Sequence, residues 1–211
     1  SLLFLVMSCQ TRNTLQTEPQ VQIKGKLFII GGGKRPVNMI DRLIAEAGVR
    51  DSGYVLILPL ASGEVDSAIY YSSKQFSEQG IGSISFISAS SIDSDPGSVI
   101  DLIQHASLIY ISGGDQNRFM DLIEGTPIRE TIIKAYLNGA TVAGTSAGAA
   151  VMSEKMITGN EIKHPVYTGK FPTIEANNVE LGRGLGLLDQ AIIDQHFLKR
   201  QRWNRLISVC L

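Results

Sequence analysis

Lys26-Leu27-Phe28-Ile29-Ile30-Gly31-Gly32-Gly33, followed by helically spaced apolar residues from Val37 to Ala47 and a stop at Gly48, is the stretch that decides the fold. An unbroken apolar run ending in glycines reads as a strand buried on both faces, and apolar residues three and four apart read as one face of a helix. The same pair of patterns then recurs. Tyr54 to Leu60 is a continuous apolar run, Glu64 to Gln79 a helix ending at Gly80, Ser83 to Ile87 a strand, Pro96 to His105 a helix and Ser107 to Ile111 a strand. Pro127 to Asn138 is a further helix, with proline in its first turn and Gly139 just past its end. This rhythm predicts an α/β fold in three layers, a mostly parallel sheet flanked by helices. Ligands in such folds bind outside the carboxyl ends of the strands. The strand ends near Gly31, Gly113 and Gly144, together with the run ending near Asp194, are therefore expected to meet on one edge.

Composition narrows the function. With 211 residues, 44% of them hydrophobic, the chain can bury one sizeable core, so residues 25–211 are read as a single domain. A net charge of -1 and the absence of a basic run exclude nucleic acid as a partner. Cys9 and Cys210 sit at opposite ends, and His105, His164 and His196 are scattered, so neither a metal site, a cofactor nor a disulfide framework is expected. Residues 1–9 are apolar and are followed by a polar stretch, Gln10 to Gln20. They read as the tail of a lipoprotein signal, with Val6-Met7-Ser8 as the cleavage box and Cys9 as the lipidated residue. On that reading residues 1–24 are a signal remnant and linker, and the protein is extracytoplasmic, touching a membrane only through its lipid. The alternative is a core strand with a buried cysteine in a cytoplasmic protein. The last residues, Arg205 to Leu211, keep an apolar pattern without a cap, which reads as a chain cut short.

The chemistry is concentrated in three short blocks. Gly144-Thr145-Ser146-Ala147-Gly148 follows the apolar run Ala140 to Ala143, and glycines on either side of a serine at a strand-to-helix turn let the backbone bend and expose the hydroxyl. Ser146 is the candidate nucleophile; the plainer alternative is a serine that only caps a helix. Ser112-Gly113-Gly114-Asp115-Gln116 follows another strand, and an amide near Gly114 together with that of Ala147 could form an oxyanion hole. Equally, Asp115 could simply cap a helix that begins at Gln116. The third block is Asp194-Gln195-His196-Phe197, trailed by Arg200, Arg202 and Arg205. Histidine is the usual base for a serine nucleophile, and guanidinium groups match carboxylates in geometry. A solvated helix face bearing arginines is the competing reading.

These three blocks, in this order, resemble the cyanophycinase and peptidase E family of serine peptidases, and the likeness runs from about Lys26 to the end. The third block favours the cyanophycinase branch. The resemblance implies a fold like that of class I glutamine amidotransferases, with serine in place of their cysteine. It implies a serine exopeptidase that cleaves aspartyl-linked bonds, in that branch the bonds of cyanophycin (multi-L-arginyl-poly-L-aspartate), with release of β-aspartyl-arginine dipeptides. It further implies Ser146 as nucleophile, His196 as base and an acid after the elbow to orient the base. Glu161 has the most suitable place for that acid, and Glu154 and Glu175 remain candidates. Gln116, Asp194, Gln195, Arg200, Arg202 and Arg205 match pocket-lining positions, and a homodimer is the implied assembly. The family chain runs on past the point where this one stops, and His164 to Asn178 reads as an insertion. An α-aspartyl or isoaspartyl dipeptidase would share the triad, an α/β-hydrolase esterase would share the elbow but need no arginine cluster, and a non-catalytic carboxylate-binding module would share the arginines.

Overall fold

The computed structural model describes residues 23–166 and 170–211. The readings of residues 1–22, including lipidation of Cys9, lie outside the described residues.

The chain alternates β1 (Lys26–Ile30), α1 (Val37–Ala47), β2 (Val55–Leu58), α2 (Val65–Ser77), β3 (Ile84–Phe86), α3 (Ala89–Ser94), α4 (Pro96–His105) and β4 (Leu108–Ile111). It continues through α5 (Gln116–Ile123), α6 (Ile128–Asn138), β5 (Thr141–Thr145), α7 (Ala147–Ala150), β6 (Lys155–Glu161), β7 (Val179–Arg183) and α8 (Trp203–Cys210). β1 to β5 form one parallel sheet in the order β1-β5-β4-β2-β3, while β6 and β7 pair antiparallel as a separate ribbon.

Side-chain alternation along the strands explains the three layers. In β2, Val55 and Ile57 feed one core with Leu43, Ile44 and Phe76 of α1 and α2. Leu56 and Leu58 feed the other, with Ile103, Phe119 and Ile132 of α4, α5 and α6. β4 divides in the same way, Leu108 and Tyr110 to the first core, Ile109 and Ile111 to the second. Successive residues of a strand point to opposite faces, so a strand buried on both must be apolar throughout.

α1 and α4 begin and end where the spacing places them, α1 closing on Gly48 in the left-handed conformation. β2 is shorter than the apolar run because Pro59 has no N–H to give the ladder. Short, polar α3, begun by a capping box between Ser88 and Ser91, and the β6–β7 ribbon carry no periodic apolar signal and were not expected.

Candidate active site

β5 lies between β1 and β4, so its carboxyl end opens between the loops that leave those two strands. Ser146 stands there with φ 55 and ψ -116, a conformation that costs a non-glycine residue about 1–3 kcal/mol. The surroundings impose it. The Ser146 amide donates to the Ile30 carbonyl at 2.9 Å, and the amides of Ala149 and Ala150 donate to the Ser146 carbonyl at 3.0 and 3.1 Å as α7 begins. Gly144 and Gly148 are required by close approach: a Cβ on Gly144 would lie 2.1 Å from the Gly148 oxygen, and one on Gly148 would lie 2.2 Å from the Ile111 oxygen.

The Ser146 hydroxyl lies 2.8 Å from His196 Nε2 and 2.9 Å from Gln195 Oε1, two acceptors within reach of its single proton. Both partners come from the irregular stretch between β7 and α8. His196 is also at positive φ, 51°, and its amide donates to the Gly31 carbonyl at 2.7 Å. Its ring lies on Gly32, where a Cβ would come within 2.5 Å of Cε1. The glycines after β1 therefore seat the histidine while Ile30 seats the serine. Burial, and then the charges of Arg200, Arg202, Lys199 and Arg205, hold the imidazole below the usual histidine pKa, so it is neutral and able to accept a proton near pH 7.

The expectation that Glu161, Glu154 or Glu175 lies on that ring is corrected by geometry. No carboxylate among the described residues is hydrogen-bonded to the His196 ring. Glu161 accepts from Asn178 Nδ2 at 2.8 Å, across the β6–β7 ribbon. Glu175 accepts from His164 Nε2 at 2.7 Å, and Glu154 is exposed. Glu161 lies on β6 and Glu175 in the connection between β6 and β7, and their side chains pair with partners other than the imidazole.

The other expected residues do gather. A cleft of about 340 Å³ opens beside Ser146, bordered by Gly114, Gln116, Gln195 and the three arginines, with Thr158 to Asn160 and Phe171 closing it. The Gln116 amide donates to the carbonyls of Ile157 and Thr158 at 3.0 and 2.5 Å, and Gln195 Nε2 reaches Gln116 Oε1 at 3.4 Å. This relay of amides ties the serine to the ribbon. Asp194 and Arg205 are not turned wholly to a ligand: they form a buried ion pair, with side chains 5% and 2% exposed, and Arg205 also stacks over Phe171. Arg202 donates to the Gln195 carbonyl at 2.8 Å, and Arg200 stays exposed at the rim. Asp115 caps α5 through the Asn117 amide, as its competing reading held. Gly114, at φ 146, has no room for a side chain, since a Cβ would lie 2.0 Å from the Ala61 oxygen. The amide of Ala147, first in α7 and directly after Ser146, has no acceptor within its helix. No three His, Cys, Asp or Glu side chains among the described residues are grouped as metal ligands would be.

Residues 27–209 match Peptidase family S51. The chain belongs to peptidase family S51. It is a serine peptidase. This S51 peptidase is 31% identical over 213 residues to a cyanophycinase of Nostoc sp., covering 93% of this chain and 67% of that one. It is 31% identical over 191 residues to a cyanophycinase of Geminocystis herdmanii, covering 88% and 67%. An uncharacterized peptidase of Bacillus subtilis is 26% identical over 139 residues, covering 63% and 58%. Among solved structures, a peptidase from an acI-B1 Actinobacterium superposes with a TM-score of 0.66 at 23% identity, covering 89% of this chain and 76% of that one.

Parts of the S51 site gave no signal in the sequence. The carbonyls of Ile157 and Thr158 are main-chain atoms that any residue would supply. Phe171 comes from the connection between β6 and β7, where periodicity is silent. Gly32 was visible as part of a glycine run, but its service to His196 depends on a residue far along the chain.

Proposed function

We propose that Ser146 and His196 are the nucleophile and base of an exopeptidase acting on aspartyl-linked bonds, with cyanophycin as substrate and β-aspartyl-arginine as product. The observation that carries the reading is the 2.8 Å contact between the strained Ser146 hydroxyl and a histidine kept neutral by burial and neighbouring cations. Ser146 attacks the carbonyl carbon as His196 Nε2 takes its proton, and the oxygen that gains charge is held by amides at Gly114 and Ala147. His196 passes the proton to the leaving nitrogen, and water then hydrolyses the acyl-serine. Main-chain contacts at Gly31 and Gly32, rather than Glu161, hold the imidazole. Arg200 and Arg202 face the cleft as receptors for aspartate carboxylates, while the Asp194–Arg205 pair braces the wall behind them. The identity to cyanophycinases supports the polymer as substrate.

Release of β-aspartyl-arginine from insoluble cyanophycin, with Ser146→Ala alongside, tests the reading. Release by the wild type alone supports both substrate and nucleophile. A folded wild type that spares the polymer but cleaves α- or β-aspartyl dipeptides removes the polymer and keeps the serine.

A further inference from the structure

A second cleft, of about 300 Å³, opens on the other side of Ser146, and His196 lines this one rather than the first. Arg35 is the one arginine or lysine on its wall and Glu64 the one acid. Arg35 is held from two sides: its Nε donates to Gln75 Oε1 at 2.6 Å, and an Nη donates to the Gly33 carbonyl at 3.4 Å. No carboxylate among the described residues pairs with it, so its remaining donors are open to a ligand.

Tyr110, wholly buried, and Thr145 border the cleft; the buried Tyr110 hydroxyl lies against the Gln75 side chain that also holds Arg35.

The direction of the chemistry says which half of a substrate enters. The histidine that accepts the serine proton must return it to the leaving nitrogen as the C–N bond breaks, giving a free amine and an acyl-serine. The leaving half therefore lies on the His196 side, and the acyl half lies over the Gly114 and Ala147 amides.

We propose that the Arg35 cleft is the leaving-group subsite and that Arg35 selects leaving halves ending in a free carboxylate. This rests on Ser146 and His196 acting as described above. A matched pair of short aspartyl-linked peptides, ending the leaving half in a carboxylate or a carboxamide, tests it. Wild type favours the carboxylate by about tenfold in kcat/KM, as expected for one charge-assisted hydrogen-bonded pair. In Arg35→Gln that ratio falls to near one, and Arg35→Lys keeps part of it. A wild type indifferent to the end group, or an Arg35→Gln variant that slows both peptides equally, overturns the proposal. If the wild type cleaves neither peptide, the catalytic reading fails by itself, and calorimetric titration of the same pair decides this one. Tighter binding of the carboxylate form that is lost in Arg35→Gln sustains the subsite, and equal affinities sink it.

Discussion

The two halves of the site are built in opposite ways. Ser146 leaves the middle of a parallel sheet, and its turn is enforced by backbone atoms packed too closely for side chains at Gly144 and Gly148. His196 arrives on irregular chain, held by one amide to Gly31, a ring seated on Gly32 and a buried ion pair behind it. In the serine half, geometry and folding are the same thing, because the contacts that set the turn also close the core. The histidine half can be disturbed while the sheet stands. Chemistry here needs both, so damage to either half should be separable by whether stability or turnover fails.

The largest effect belongs to the pair where the halves touch. Ser146→Ala and His196→Ala should each lower kcat by about 10⁴-fold or more, and combining them should add little, since the two act as one unit. Circular dichroism and thermal melting should find both variants folded. Full additivity in the double variant would mean that the two residues do not work together.

Next comes the brace. Asp194→Asn strands the Arg205 guanidinium in a place almost without water and should cost about 3–5 kcal/mol, read by urea unfolding. Replacing both with apolar residues of similar size, Asp194→Leu with Arg205→Met, should recover most of that loss, because no charge is then left unpaired. Failure to recover would give the charges a part in function beyond mutual support.

A third pair of variants sets one half directly against the other. Gly148→Ala forces a Cβ against the Ile111 carbonyl, rigid main chain in the central sheet, and should destabilise by about 3 kcal/mol or more through overpacking. Gly32→Ala presses instead on the imidazole, which can swing aside. It should leave the melting temperature closer to wild type, apart from the strain of its positive φ, while lowering kcat by about 100-fold through misplacement of the base. If Gly32→Ala unfolds the protein and Gly148→Ala does not, the division proposed here is wrong.

The same division governs what could be read from the sequence. β1, α1, β2, α4, β4 and β5 follow from apolar runs and helical spacing, because a buried parallel sheet forces that pattern on its strands. The elbow was legible as well, since a glycine is demanded on each side of Ser146. Beyond β5 the pattern stops. The β6–β7 ribbon and the stretch that carries His196 are fixed by side-chain-to-backbone contacts such as Gln116 to Ile157 and Arg202 to Gln195, which leave no periodic trace. His196 was found by its residue type and by the resemblance its block carries, not by any periodicity. Glu161 was placed by sequence distance, which says nothing of where a ribbon turns, and in the structure its carboxylate accepts from Asn178 rather than from the imidazole.

The smallest effect concerns the charges around the imidazole. Its pKa is held down by burial first and by Arg200 next, and a base works only while unprotonated, so the depressed value carries activity further into acid. Below the folded-state pKa the ring takes a proton and kcat/KM falls. Arg200→Gln removes one repelling cation, which lets the pKa rise and should move the acidic limb of the kcat/KM profile to higher pH. Added salt, by screening the exposed Arg200, should move the wild-type limb in the same direction and the variant's limb less. The position of the limb separates this role from any loss of substrate binding, which would lower the whole profile without displacing it. A limb that stays in place in Arg200→Gln would assign the depression to burial alone. The histidine half would then be tuned, like the serine half, by packing rather than by charge.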